Sequence, residues 1–284
     1  MKNYEKFCSD FIDAIYKEYD KNDFKYDPLN KDLTSVLAEY VSIFTTKFVV
    51  DKPRTVHISS ELQTKMNRDF DLKDKVDFVI EKIKNGGDIN GHLTRQIYDT
   101  TANDDLYSDW GIKHIHLNKT EANTNEEMRL NRSGDLLFAI FELKDCYLID
   151  AKAHNVPCVF ALMEYLKIIV NNWPDLCLTL NENVSCINLV KTNEDIKKFR
   201  KSNVNTTCYE IDGVKYMKIR AAGLTMAGTD LNCQIIAMKL VKEYESIDDE
   251  YKNIDFNFLN NDFGTINCKN NCYYLGVLYP QSSK

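Results

Sequence analysis

Trp110-Gly-Ile-Lys-His-Ile-His-Leu117, Asp135-Leu-Leu-Phe-Ala-Ile-Phe-Glu-Leu143 and Cys146-Tyr-Leu-Ile-Asp-Ala-Lys-Ala-His154 are the three stretches that decide the fold. In the first, Ile112, His114 and His116 alternate with Lys113, Ile115 and Leu117, the period-two pattern of a strand with two distinct faces. The second and third are short apolar runs joined through Lys144-Asp145, which reads as a β-hairpin. Alternation along 146–152 puts Leu148, Asp150 and Lys152 on one face, with His154 just past the strand end. A buried helix is expected over 155–170, opening at Val156-Pro157 and closed by Trp173-Pro174.

Outward from this centre the pattern changes. Tyr4, Phe7, Cys8, Phe11, Ile15 and Tyr19 recur at helical spacing over residues 3–20. Leu33, Val36, Leu37, Tyr40, Val41 and Phe44 do the same over 31–48. A third helix is expected over 72–84, stopped by Gly86-Gly87. Downstream, 184–190, 207–211 and 214–220 read as strands, with Asp212-Gly213 as a hairpin turn. Gly223 to Gly228 leads into a helix from Thr229 or Asp230 to about residue 245, and two short strands follow near 264–268 and 272–278. The expected class is α+β: a helical N-terminal region packed on a small antiparallel sheet core, with a mixed α/β C-terminal part. In chain order that gives a mainly helical region 1–100, a histidine-bearing sheet core with a helix over 101–175, and a mixed region 176–284, divided as three parts or continuous as one domain.

With 284 residues, 44% hydrophobic and 28% charged, a disordered polymer is excluded. The net charge of −7 argues against broad electrostatic capture of nucleic acid and leaves room only for a locally basic pocket. No run of about 18 apolar residues occurs, which argues against a membrane-spanning helix and a membrane partner. The opening MKNYEKFCSDFIDAIYKEYDK carries acids inside its apolar stretch, as an amphipathic helix does and a signal peptide does not. Nine cysteines spread from Cys8 to Cys272 without a tight framework read as reduced thiols, so a cytoplasmic protein is expected. No cofactor is expected: there is no GxSxG, and no Gly-Lys-Ser/Thr follows the 223–228 loop.

Three of the five histidines, His114, His116 and His154, fall in the strand-rich centre, with Arg132 in the loop between the first strand and the hairpin. If these strands are sheet neighbours, imidazoles, an arginine, a lysine and a carboxylate meet at one edge. That set suits metal-independent cleavage of RNA. One imidazole takes the 2′-hydroxyl proton, another protonates the leaving 5′-oxygen, and cationic side chains stabilise the charge on the phosphate. His114, His116, Arg132 and His154 are the expected catalytic residues, and Lys113 and Lys152 the expected substrate-binding ones. Two other readings stand beside this one: histidines satisfied within a half-buried sheet, and a metal site with His114, His116, Asp150 and His154 as ligands. Gly86-Gly87-Asp88 and Gly91-His92-Leu93 read either as a loop over the same site or as a helix stop followed by a short helix 93–98.

The segment 108–155, with DWGIKHIHL, then an arginine, then DLLFAIF and CYLIDAKAH, resembles a pattern in bacterial proteins of largely unassigned role. That pattern is a G-I-x-H-x-H-L strand, an arginine with an L-L-F strand, and a strand ending in D-x-x-x-H. More distantly, the strand order resembles RelE/YoeB-type toxin ribonucleases of the barnase-like superfamily, which cut RNA on a small antiparallel sheet. The resemblance implies Arg132 and His154, with His114 or His116, as active residues. The acidic charge and large flanking regions depart from small basic toxins. The leading expectation is therefore an endoribonuclease-like toxin or phage-defence component with RNA as substrate. A non-catalytic subunit or regulator that binds a protein partner, such as an antitoxin or defence-system subunit, is the second. A metal-dependent phosphodiesterase is the third.

Overall fold

The computed structural model describes residues 2–29, 32–118, 134–206, 208–218, 223–225, 228–245, 254–257, 265–268 and 271–274. In chain order the main elements are α1 (Lys2–Lys21), α2 (Leu33–Ser42), β1 (Thr55–Ile58), α3 (Ser60–Arg68), α4 (Phe70–Asn85), α5 (Asp105–Trp110) and β2 (Ile112–His116). There follow β3 (Asp135–Phe141), β4 (Asp145–Ala153), α6 (Met163–Asn172), β5 (Cys177–Thr179), α7 (Asn193–Lys201), β6 (Cys208–Ile211), β7 (Val214–Lys218) and α8 (Leu231–Glu245). Three short strands close the series: β8 (Ile254–Asn257), β9 (Thr265–Cys268) and β10 (Asn271–Tyr274). The fold is α+β with a helical N-terminal region. Among the described residues no helix is long and apolar enough to cross a membrane.

Two compact units cut across the three consecutive regions read from the sequence. One joins residues 1–48, 96–102 and 227–284, and the other joins 49–95 and 103–226. In the first, Phe11, Ile15 and Tyr19 of α1 meet Val36, Leu37, Tyr40 and Val41 of α2 and Cys233, Ala237 and Leu240 of α8 in one buried cluster. Burying each large side chain of this kind contributes about 1.5–3 kcal/mol, so the distant helix α8 is bound in by its apolar stripe. Asp230 starts α8 by accepting from the backbone N–H of Asn232 and Cys233, in line with the helix start expected at Thr229 or Asp230.

The second unit holds a four-stranded sheet in the order β1-β4-β3-β2. β2, β3 and β4 run antiparallel, as expected, but β1 runs parallel to β4, so the sheet is mixed. β1 covers only residues 145–148 of β4. Beyond it the open edge of β4 is satisfied from α3: Ser59 N–H donates to Leu148 O, Ser59 Oγ to Ile149 O and Lys65 Nζ to Ala151 O. At the other end Arg54 donates to the carbonyls of Glu142, Val50 and Lys52, clasping the hairpin loop. A smaller sheet, β5-β7-β6, contributes Tyr209 and Ile211 to the core formed by Phe138, Ile149, Tyr165 and Ile169.

Several sequence expectations are corrected here. The helix expected over 155–170 starts only at Met163, because Pro157 has no N–H to give and Cys158 takes φ +61°, leaving turns through residues 155–160. The strand expected over 184–190 is irregular: Val190 bridges Tyr209, and Lys215 of β7 donates to Val184 O. A register shift between Phe138 and Ala139 pairs Phe138 with Asp150 but Ala139 with Leu148. Leu148 and Asp150 therefore face opposite sides of the sheet. The helix expected over 72–84 is α4, preceded by α3, and each is capped by the residue just before it: Ser59 accepts from Leu62 N–H and Asp69 from Leu72 N–H.

Gly86 ends α4 at φ +70°, and a Cβ built there meets Pro53 Cδ at 2.7 Å and Pro53 N at 2.8 Å. Gly86→Ala therefore carries both left-handed strain and a backbone clash. It is expected to cost about 1–3 kcal/mol, seen as a lower urea midpoint at unchanged slope. An unchanged midpoint would show that the contact relaxes freely.

Candidate acid–base site

The site lies at the end of the β2-β3-β4 sheet where β2 and β4 finish. Register places His114 opposite Phe138 and His116 opposite Leu136, while Leu136 lies opposite Lys152 and Phe138 opposite Asp150. One sheet face thus carries His114, His116, Asp150 and Lys152. His154 follows β4, its N–H held by Gly134 O at 2.6 Å. The rings of His116 and His154 are nearly parallel with centroids 6.3 Å apart, and His114 stands edge-on to His116 at 5.9 Å. Phe160 fills the space beside them, 5.0 Å from the His114 ring and 5.7 Å from that of His154. The three histidines grade inward: His154 is exposed, while His116 and His114 are half-buried.

Their surroundings differ in charge. His114 Nδ1 lies 3.7 Å from the carboxylate of Asp104, whose other oxygen accepts from Leu106 and Tyr107 N–H and so caps α5. Burial pulls the His114 pKa below its ordinary 6.5, and His154 and Lys113 add to that against the opposing pull of Asp104. His92 is buried at the same end, its Nδ1 3.3 Å from His116 O. Burial and then Lys82 push its pKa down against its bonds to His116 and Asn118. Phe160 is itself fixed: Arg200 of α7 donates to Phe160 O and, through Nε, to Asp109 at 2.7 Å.

Lys152 lies beside two carboxylates, with its Nζ 2.6 Å from Glu164 and 3.2 Å from the fully buried Asp150. Burial alone would lower its pKa, but Glu164 and Asp150 outweigh that and hold it above the ordinary lysine value. It therefore carries a fixed charge at neutral pH and donates no proton there. Asp150 is shared with Lys65, whose Nζ lies 2.6 Å away. Lys113 turns to the other face of β2, its ammonium 4.5 Å above the Tyr107 ring. Arg132 lies outside the described residues. Among the described residues no three His, Cys, Asp or Glu side chains are grouped to share a metal ion. Of the alternative ligand set, Asp150 is engaged by Lys65 and Lys152.

The structure thus brings His114, His116 and His154 to one place with Lys152 on the same face, and sets Lys113 apart. Sequence reasoning missed Asp104, Phe160 and Arg200. Asp104 was legible as a helix cap, but its approach to His114 depends on how α5 turns into β2. Comparison with protein-family models, curated proteins and solved structures gave no match, so the resemblance drawn over 108–155 rests on those residues alone.

Because folded His114 takes its proton at lower pH than the unfolded chain, the unfolded state holds more protons just below pH 6.5. Stability is therefore expected to fall as pH drops from about 7 to about 5. His92 contributes in the same direction. His114→Gln should make that fall shallower, read from urea midpoints across the range. Parallel profiles for the two proteins would overturn the assignment.

Proposed function

We propose that this histidine group is an acid–base site for metal-independent cleavage of RNA, in an endoribonuclease-like toxin or phage-defence component acting in the cytoplasm. The observation that supports it best is the pairing of exposed His154 with half-buried His116, their rings 6.3 Å apart and nearly parallel. Two imidazoles at such spacing serve as base and acid on either side of a phosphate, one accepting the 2′-hydroxyl proton and the other giving a proton to the departing 5′-oxygen. His114, 3.7 Å from the Asp104 carboxylate and with its pKa pulled down by burial, stands edge-on to His116 from inside. Lys152 supplies positive charge to the face where the phosphate would sit, and its Glu164 contact must open for direct contact with the substrate.

A second reading, a non-catalytic protein-binding subunit, is favoured by apolar side chains in solvent around the small sheet. Ile187 is 80% exposed, and Leu178, Val184 and Val214 are also in solvent.

End-labelled RNA incubated with the protein, with and without EDTA, separates these readings. Cleavage is expected to survive EDTA and to fall by about 10²–10⁴-fold in His154→Ala, with a comparable loss in His116→Ala. Cleavage abolished by EDTA, or unchanged in both variants, would overturn the acid–base reading. A protein that cuts no RNA in either condition but retains a partner in pull-down favours the binding subunit.

A further inference from the structure

We propose that α7 is the track along which single-stranded RNA is held beside the histidine site, its exposed lysines pairing with phosphates of the strand. The inference deepens the cleavage reading and rests on it for the choice of RNA over an acidic protein.

The charges of α7 are sorted by position. It reads Asn193-Glu-Asp-Ile-Lys-Lys-Phe-Arg-Lys201, with both acids in the first turn and four cations among the last five residues. Thr192 and Asp195 form a reciprocal cap, Asp195 accepting from the N–H of Lys191 and Thr192, so one of the two acids is committed to the helix start. Ile196 and Phe199 belong to the core that holds Val159 and Tyr165. Helical spacing then turns Lys197, Lys198 and Lys201 outward, and all three are exposed.

Arg200 joins this helix to the site. It donates through Nη1 to Phe160 O and through Nε to Asp109, both at 2.7 Å, and the Phe160 ring lies 5.7 Å from that of His154. Lys197 and Lys201, four residues apart, occupy the flank of α7 that adjoins Arg200. The lysines therefore begin beside the residue that holds Phe160, and Phe160 stands against His154.

Their charge is available to a ligand. Lys197 lies 4.0 Å from Glu194 in a surface pair that contributes little. Among the described residues no ion pair engages Lys198 or Lys201. Lys65 and Lys152, by contrast, are committed to Asp150. In a chain of net charge −7 the three ammonium groups form a local patch, which acts at contact because charge reaches only about 8 Å at physiological salt. A single strand suits this arrangement. A cationic surface follows its backbone, and its unstacked bases can reach an aromatic ring such as half-buried Phe160.

The test measures binding of a fluorescein-labelled single-stranded 2′-O-methyl oligonucleotide, which lacks the nucleophile and is not cut. Anisotropy is read against salt for the full chain and two triple variants. Lys197→Gln with Lys198→Gln and Lys201→Gln is expected to weaken binding about 100-fold at about 0.1 M salt. The slope of log K against log salt should become shallower by about 2, as loss of three phosphate contacts to a single strand predicts. The same charge change on exposed residues of α1, Lys6→Gln with Lys17→Gln and Lys21→Gln, should leave both unaltered. Circular dichroism establishes that each variant is folded. Equal losses in the two variants, full binding by the α7 variant, or no binding by the unaltered protein each overturn the proposal. Displacement of the oligonucleotide by poly-glutamate at matched charge also overturns it, and marks α7 as a surface for acidic proteins. Loss confined to the α7 variant, in a protein that cuts no RNA, keeps the track and removes the acid–base chemistry. RNA cutting with binding unchanged in the α7 variant does the reverse.

Discussion

Everything at the sheet end depends on one extra residue in β4. At the register shift, Phe138 still faces Asp150 while Ala139 faces Leu148, so Ile149 is the inserted position. Before the bulge, Cys146 and Leu148 share the Ala139 side of the sheet. After it, Asp150 and Lys152 lie with Phe138 and Leu136, the side that also carries His114 and His116. A regular strand would keep Leu148, Asp150 and Lys152 on one face. It would then set either the apolar pair Cys146 and Leu148 or the charged pair Asp150 and Lys152 on the wrong side. The bulge lets one strand bury apolar residues on one face at its start and present charged residues on the other at its end.

That arrangement places a carboxylate in the interior, and the fold answers it locally. Asp150 accepts from Ala151 N–H and Lys65 Nζ, and its second oxygen faces Lys152. Lys65 reaches it because β1 stops at Ile58 and the next helix runs along the part of β4 that β1 leaves open. The same ammonium satisfies Ala151 O. Burying a carboxylate unpaired would cost several kcal/mol, so the short parallel strand, the helix after it and the buried charge form one solution. Lys152, in turn, is held charged by Glu164 and Asp150, so on the cleavage reading proton transfer falls to the imidazoles.

The parts of this site that follow local rules were legible in the sequence. Alternation along Ile112–Leu117 places His114 and His116 together, and the paired apolar runs 135–143 and 146–152 identify the hairpin that brings His154 alongside. Gly86 was legible as a helix stop because its left-handed conformation is a local property. The bulge at Ile149 was not, since alternating residue types do not show where a strand gains an unpaired position. Nor was β1: Thr55–Ile58 is short, and its parallel partner lies some ninety residues away. The turns at 155–160 follow from Pro157 and the left-handed Cys158, and an apolar run can hide such a break. Asp104, Phe160 and Arg200 belong to the site only through tertiary packing. Arg132, central to the sequence reading, lies outside the described residues.

The charge balance limits how the proposed site works. The chain carries −7 overall, and the cations described near the histidines are already engaged: Lys152 by Glu164 and Asp150, Lys65 by Asp150, Arg200 by Asp109. Long-range attraction of a polyanion is therefore weak, because a net negative field opposes it. On the cleavage reading, binding must come from short-range contacts at the sheet end, where exposed His154 stands against Phe160 and half-buried His116 lies just behind. Such a site works through proton transfer at close contact. It differs in this from small basic ribonucleases, whose cationic surfaces collect RNA before any chemistry begins.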